Sequence, residues 1–566
     1  MRAITWAWVT GLWIGLLTGC AGSKPGALTP RQEAILDELK QIDLSSNVYR
    51  SERSTPIVDV HTHTFNARYL PIAGIGLGKR DARGLTTMLV PDAIVEAFAA
   101  ILVARTQMEG PPDAAEALGP DRFGPDARID DAIQKIERAE GLPEGTVRQD
   151  ESIRALEKLL GSAPGITPTE AIRAPVELTE IDLAALKRVQ PFDEPGFLKM
   201  LTLKDGPKES LYRDAHGMGP DRPLFRVTHM MDLAPVYNQP ARAGTLLDFA
   251  TEQVPRMERF QKSDGSSVYF VAYNPFRDHL PRGDARPGDA LRIVRDAIRH
   301  RGAYGIKIYP PSGYRPIANE ILSRESPRFA GEQWDARYTD GGQSIAASEL
   351  DARLKALLDW CVENDVPVFA HCNHGELEAR KGYGVHHADP KWWEKYLASD
   401  PPRTGKLRLC FAHAGGAAAW FGVGEHADWG QRIMRLCRKY PNVYVEFGIH
   451  DEVVESENRA RFVDIVGAEL AKPVPPGEYP LGSKIMYGTD WYMPGRGNRA
   501  AYLAGFEQMF LHPRLRAHYR AFFLENSLRY LNVESRLAST SSELPPPPPS
   551  VAAKMRELVA AARDDR

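Results

Sequence analysis

A (β/α)8 barrel of the α/β class, with a long helical insert after its first strand, is the fold this 566-residue sequence predicts. Eight short apolar runs recur along it, and from the second onward they start 36 to 43 residues apart, with one interval of 62. Amphipathic helical patterns fill the intervals. Most runs end abruptly in a polar or small-residue turn. Such spacing holds one strand, one crossover helix and two loops. Near-continuous apolar strands alternating with amphipathic helices make a parallel sheet covered on its outside, and eight units are the count of a closed barrel. A doubly wound open sheet has the same alternation and is the alternative.

The chain opens on an address rather than a fold. An uncharged stretch from Ala3 to Ser23 follows Arg2, and its apolar centre, Trp6 to Leu17, has the length of a signal-peptide core. It ends in Leu17-Thr18-Gly19-Cys20, which resembles the bacterial lipobox. Residues 1–20 therefore read as a lipoprotein signal peptide, with lipid on Cys20 holding the chain at a membrane surface. An uncleaved anchor is the alternative, because 21 uncharged residues could just span a bilayer. Ala21 after the cysteine resembles outer-membrane sorting, so the expected location is the cell envelope, facing the periplasm or the surface.

Residues 21–54 read as a tether and an N-terminal helix, begun by Thr29-Pro30-Arg31-Gln32: an N-cap, a proline in the first turn and a capping-box partner. The barrel is assigned to 55–535. Its strands are Ile57–His63, Phe225–Met231, Val268–Asn274, Tyr304–Tyr309, Val366–His371, Leu407–His413, Val443–Phe447 and Lys484–Asp490. Leu291, Val294 and Ile298 mark one crossover helix; Leu350, Leu354, Leu357, Leu358 and Cys361 mark another. Residues 66–224 are largely insert, expected to form a helical cap that includes Val90–Arg105. Residues 536–566 form a Pro-rich tail, extended from Pro545 to Pro549, with a small amphipathic helix beyond.

Composition narrows the function classes. With 43% hydrophobic and 26% charged residues the chain is globular rather than disordered or polytopic. Lys+Arg 71 against Asp+Glu 74 leaves no basic field for nucleic acid. Five cysteines do not build a disulfide scaffold. Cys372 and Cys410 are expected to point outward as buried free thiols. No feature sets the oligomeric state.

The histidines carry the chemistry. Strand one ends Asp59-Val60-His61-Thr62-His63. Residues i and i+2 on a strand point the same way, about 7 Å apart, so two imidazoles leave one face and could serve one metal ion. His371 closes strand five, His413 closes strand six and Asp490 closes strand eight. Several unpaired polar groups buried independently would be costly. A barrel instead gathers its strand ends into one cavity, where they can pair.

These segments, with Gly305-Ile306-Lys307-Ile308-Tyr309-Pro310, Phe411-Ala412-His413-Ala414-Gly415-Gly416, Tyr487-Gly488-Thr489-Asp490-Trp491 and the late Glu525-Asn526-Ser527-Leu528-Arg529, resemble the amidohydrolase superfamily. More narrowly, they resemble the amidohydrolase-related branch that includes aminocarboxymuconate-semialdehyde decarboxylase. The resemblance implies a divalent metal, Zn²⁺ by default, held by His61, His63, His371 and Asp490, with one ion per chain and two as the alternative. It implies Asp490 as proton acceptor for a metal-activated water and His413 as the group that polarises the substrate carbonyl. Lys307 would be a bridge between two metals or a substrate contact. Arg315, with Tyr314, could grip a substrate carboxylate.

The leading expectation is a metal-dependent hydrolase cleaving a C–N or C–O bond in a small-molecule amide, lactone or ester. A non-oxidative decarboxylase of the same family, and a non-catalytic surface-binding lipoprotein, are the alternatives.

Overall fold

The computed structural model describes residues 26–64, 205–218, 222–233, 249–279, 288–319, 346–374, 382–421, 426–491 and 499–563, with residues 339–340, 343–344 and 378. The signal segment with Cys20, and the insert up to residue 204 with its expected Val90–Arg105 helix, lie outside the described residues.

Eight strands form one parallel sheet: β1 (Ile57–Thr62), β2 (Leu224–His229), β3 (Ser267–Tyr273), β4 (Gly305–Ile308), β5 (Val368–His371), β6 (Leu409–Ala412), β7 (Val443–Glu446) and β8 (Ile485–Met486). Each pairs with its neighbour in sequence order. The ring closes between the first strand and the last. Val60 N–H donates to the Tyr487 carbonyl at 3.2 Å, Asp490 N–H donates to the His61 carbonyl at 2.7 Å, and Thr62 bridges Trp491. Sequential order and closure make this a (β/α)8 barrel and exclude the open sheet.

Along the chain, the larger helices are α1 (Pro30–Lys40), α2 (Asp205–Ala215), α3 (Val254–Asp264), α4 (Asp289–His300), α5 (Ala347–Asn364), α6 (Pro390–Ser399), α7 (Asp428–Lys439), α8 (Ser456–Leu470), α9 (Arg499–Leu511) and α10 (Pro549–Arg563). The expected capping box at α1 is present, with Thr29 and Gln32 exchanging side-chain and backbone bonds. Helix α1 buries Ile35 and Leu39, and the Arg31–Asp464 ion pair, 2.7 Å, ties it to α8.

Two apolar layers follow from strand alternation. Outward residues such as Val271, Ile306, Val368 and Val445 pack beneath the helices. Inward residues such as Val58, Val227, Phe270, Phe369 and Met486 fill the barrel. Gly305 is required by this inner layer: a Cβ there would stand 2.6 Å from both the Phe270 ring and the Pro367 carbonyl.

The tail does more than trail from the barrel. Val551, Met555 and Leu558 of α10 join the inner cluster, so this helix plugs the lower mouth. Each such side chain contributes about 1.5–3 kcal/mol on full burial. Asn526 holds the short last strand by donating to the Gly482 and Ile485 carbonyls at 2.9 and 2.8 Å.

One orientation differs from the expectation. Cys372 faces outward, but Cys410 belongs to the inner cluster beside Phe369 and Ala412. The expectation took parity from His413, and β6 ends before that residue. His413 adopts φ 60°, which breaks the alternation and turns an otherwise outward side chain into the barrel. Both thiols are buried and free.

Candidate active site

The upper ends of the strands converge as expected, with two local distortions making it possible. Between Asp59 and Thr62 the β1–β2 register shifts, as at a β-bulge. Val60 can therefore fill the inner cluster while the next residue, His61, also contacts inner groups: Phe369, His229 and Glu446. The second distortion is a left-handed backbone at the ends of β6 and β8, where His413 and Asp490 have φ of 60° and 57°. Local strain of this kind persists only where surrounding contacts enforce it.

The polar atoms form one buried network. Asp490 Oδ1 lies 3.0 Å from both His61 Nε2 and His63 Nε2. Lys307 Nζ is 3.2 Å from His61 Nε2 and 4.6 Å from the centre of the Phe369 ring. His413 Nε2 is 3.1 Å from His371 Nδ1. The donor atoms of His61, His413 and Asp490 all lie within 4.8 Å of one another. His63 joins through Asp490, and His371 joins through His413. The tightest donor set thus takes His413, where the family resemblance had implied His371.

Each inner imidazole is held from behind. His61 Nδ1 contacts Glu446 Oε1 at 2.7 Å, His63 Nδ1 contacts the His229 carbonyl at 2.8 Å, and His413 Nδ1 contacts the Gly448 carbonyl at 3.1 Å. Carbonyl and carboxylate oxygens accept, so all three Nδ1 atoms carry hydrogen and donate. In the neutral rings, the lone pairs are then on Nε2, aimed into the cavity. His371 Nε2 is buried without a hydrogen-bond partner among the described residues.

Burial disfavours extra protons here. It pushes both His63 and His413 down to about 4. Burial and Lys307 also oppose charge on His61, but Asp490 and Glu446 outweigh them and raise it. Burial works against the charge on Asp490, yet the facing histidines hold its carboxyl well below the usual range. Buried imidazole lone pairs converging on a carboxylate can serve as the donor set of a divalent cation, and metal-bound histidines are commonly backed by such acceptors. The residues fit such an ion.

Other expected residues fall elsewhere. The Tyr314 hydroxyl donates to the Tyr273 carbonyl at 2.9 Å and accepts from Tyr309 N–H at 3.0 Å, bracing the ends of β3 and β4. The Arg315 guanidinium stacks 4.0 Å over Trp392, donates to the Ala318 carbonyl and contacts His386. Both side chains are buried in these contacts. Two inward residues were missed. Glu446 closes β7 and His229 closes β2, and their signal was parity: each stands two residues beyond an inward Tyr444 or Val227. Behind the site, Asp59 accepts from the Thr489 and Tyr212 hydroxyls at 2.6 and 2.7 Å, and burial raises its carboxyl to about 6.

A family model described as amidohydrolase matches residues 279–533. This stretch of the barrel is similar to that family. The match begins after β3, so His61 and His63 join the other site residues from outside the matched segment, through closure of the ring. No curated protein sequence matches the chain. Among solved structures, the chain is similar to a probable 2-pyrone-4,6-dicarboxylic acid hydrolase from Acinetobacter baumannii with citric acid bound. Identity is 10% and TM-score 0.30, covering 57% of this chain and 87% of that one. It is also similar to an uncharacterized TIM-barrel protein from Bordetella bronchiseptica, at 12% identity and TM-score 0.34, covering 62% and 89%.

Proposed function

We propose that this amidohydrolase-like barrel is a metal-dependent hydrolase that cleaves a C–N or C–O bond in a small-molecule amide, lactone or ester. The observation that carries the reading is the common tautomer of His61, His63 and His413, whose Nε2 atoms face Asp490. In this reading His61, His63 and Asp490 hold one divalent ion, and the His371–His413 pair supplies the fourth donor. When bound, Zn²⁺ supplies Lewis-acid polarisation and lowers the pKa of water from about 15.7 to about 7. Asp490 Oδ1 takes the proton released by the attacking water and returns it to the leaving group. Whichever of His371 and His413 is not a ligand polarises the scissile carbonyl.

The decarboxylase alternative calls for a cation that grips a substrate carboxylate. Arg315 does not favour it, because its guanidinium is engaged by Trp392, His386 and Ala318. Metal analysis of the purified protein is expected to return close to one divalent ion per chain. A screen of lactones, amides and aromatic carboxylates should then show hydrolysis. Turnover by metal-free protein would refute the assignment, and CO₂ release would move it to the decarboxylase.

Lipid attachment at Cys20 belongs to the same proposal. Among the described residues no helix is long and apolar enough to cross a membrane. Cys20→Ser protein should leave the membrane fraction after a salt wash; retention there would require another anchor.

A further inference from the structure

The last residues of β7 and the turn after it hold the site from beneath. Glu446 is fully buried, and both carboxylate oxygens are occupied. Oε1 accepts from His61 Nδ1 at 2.7 Å and from the His413 backbone N–H at 2.8 Å, while Oε2 accepts from the Gly448 N–H. One side chain therefore ties the end of β7 to metal-competent residues from β1 and β6. The Gly448 carbonyl continues the grip by accepting from His413 Nδ1 and His450 Nδ1, both at 3.1 Å.

The surroundings are shaped to this carboxylate. A Cβ on Gly448 would stand 2.9 Å from Glu446 Oε2 and 3.0 Å from His61 Nδ1, and a Cβ on Gly488 would collide with the same oxygen. Between Gly448 and His450, Ile449 has φ 58°. A β-branched residue is strained in that conformation. The turn accepts the strain and brings the Gly448 carbonyl back toward the His413 ring.

We propose that Glu446 is a positioning residue of the metal centre, fixing the tautomer and direction of His61 and the backbone of His413, with the Gly448 carbonyl setting the His413 ring. The inference rests on the metal-site reading. Glutamine cannot replace Glu446 without loss: an amide has one accepting oxygen, whereas both oxygens of Glu446 face N–H donors.

The test measures Zn²⁺ affinity of the full chain by competition with a chromophoric chelator. Wild type is compared with Glu446→Asp, Glu446→Gln and Glu446→Ala, alongside the thermal midpoint of each metal-free protein. Outer partners of metal-bound histidines contribute about 10–100-fold in affinity. Glu446→Gln is expected to lose Zn²⁺ affinity in that range and Glu446→Ala at least as much. Glu446→Asp, which keeps the charge on a shorter arm, should recover part of it. With Co²⁺ at saturation, the visible spectrum should shift in the Gln variant, which a merely structural role would not cause. Wild-type affinity and spectrum in folded Glu446→Gln would overturn the inference and leave the metal site standing. A wild-type protein that binds no Zn²⁺ would overturn both. Should the variants fail to fold, a Zn²⁺-bound crystal structure of the wild type decides. His61 must bind through Nε2 with Nδ1 on Glu446, and coordination through Nδ1 would refute the proposal.

Discussion

Asp490→Asn protein is expected to keep most of its metal and to lose turnover by about 10²–10⁴-fold, the usual effect of removing a general base. The amide oxygen of asparagine can still coordinate, and the histidine nitrogens around it remain. What disappears is the acceptor at Oδ1, the atom 3.0 Å from both His61 and His63. His371→Asn and His413→Asn, measured beside it, assign the fourth donor. One of the two should empty the site; the other should retain the ion and lower kcat more than it raises KM. Unchanged turnover in Asp490→Asn would remove this residue from the proton path. Loss of metal in both histidine variants would call for a second ion.

The double variant His61→Ala, His63→Ala should bind no metal and show no metal-dependent turnover. These two residues supply the nitrogens that flank Asp490, and each has its Nδ1 committed to an oxygen behind it. Removing both leaves Asp490 a buried carboxylate stripped of the two partners that hold its carboxyl low. The apo fold should survive, because β1 keeps its pairing with β2 and its closure onto the last strand. Metal content by elemental analysis and circular dichroism of the same sample check both halves. Stoichiometric metal in the double variant would place the ion elsewhere.

Much of the site was legible because strand ends have sharp signatures. His61, His371, His413 and Asp490 each interrupt an apolar run, and the barrel topology brings those interruptions together. Glu446 is inconspicuous in the sequence because Val443-Tyr444-Val445-Glu446-Phe447 reads as an apolar strand leading to a loop. Inward parity from Tyr444 would have flagged it. Arg315 and Tyr314 show the opposite case, because their contacts could not be read from the sequence. A polar residue just after a strand need not face the cavity, and here α6 and the short helix Tyr383–His387 before it bring Trp392 and His386 against the arginine.

The sequence by itself determined the strand count, the α/β alternation, the N-terminal capping box and the residues able to bind metal. These depend on local periodicity and on side-chain chemistry, which a chain carries without its neighbours. Only the tertiary structure decided which donors meet. Ring closure sets His61 and His63 beside Asp490. The left-handed turn at His413 reverses the parity of β6, which also turns the expectation for Cys410 inside out. The tautomers, too, are tertiary facts. Whether an imidazole presents Nδ1 or Nε2 depends on the oxygen standing behind it. For His61 that oxygen belongs to Glu446, 385 residues away in the chain.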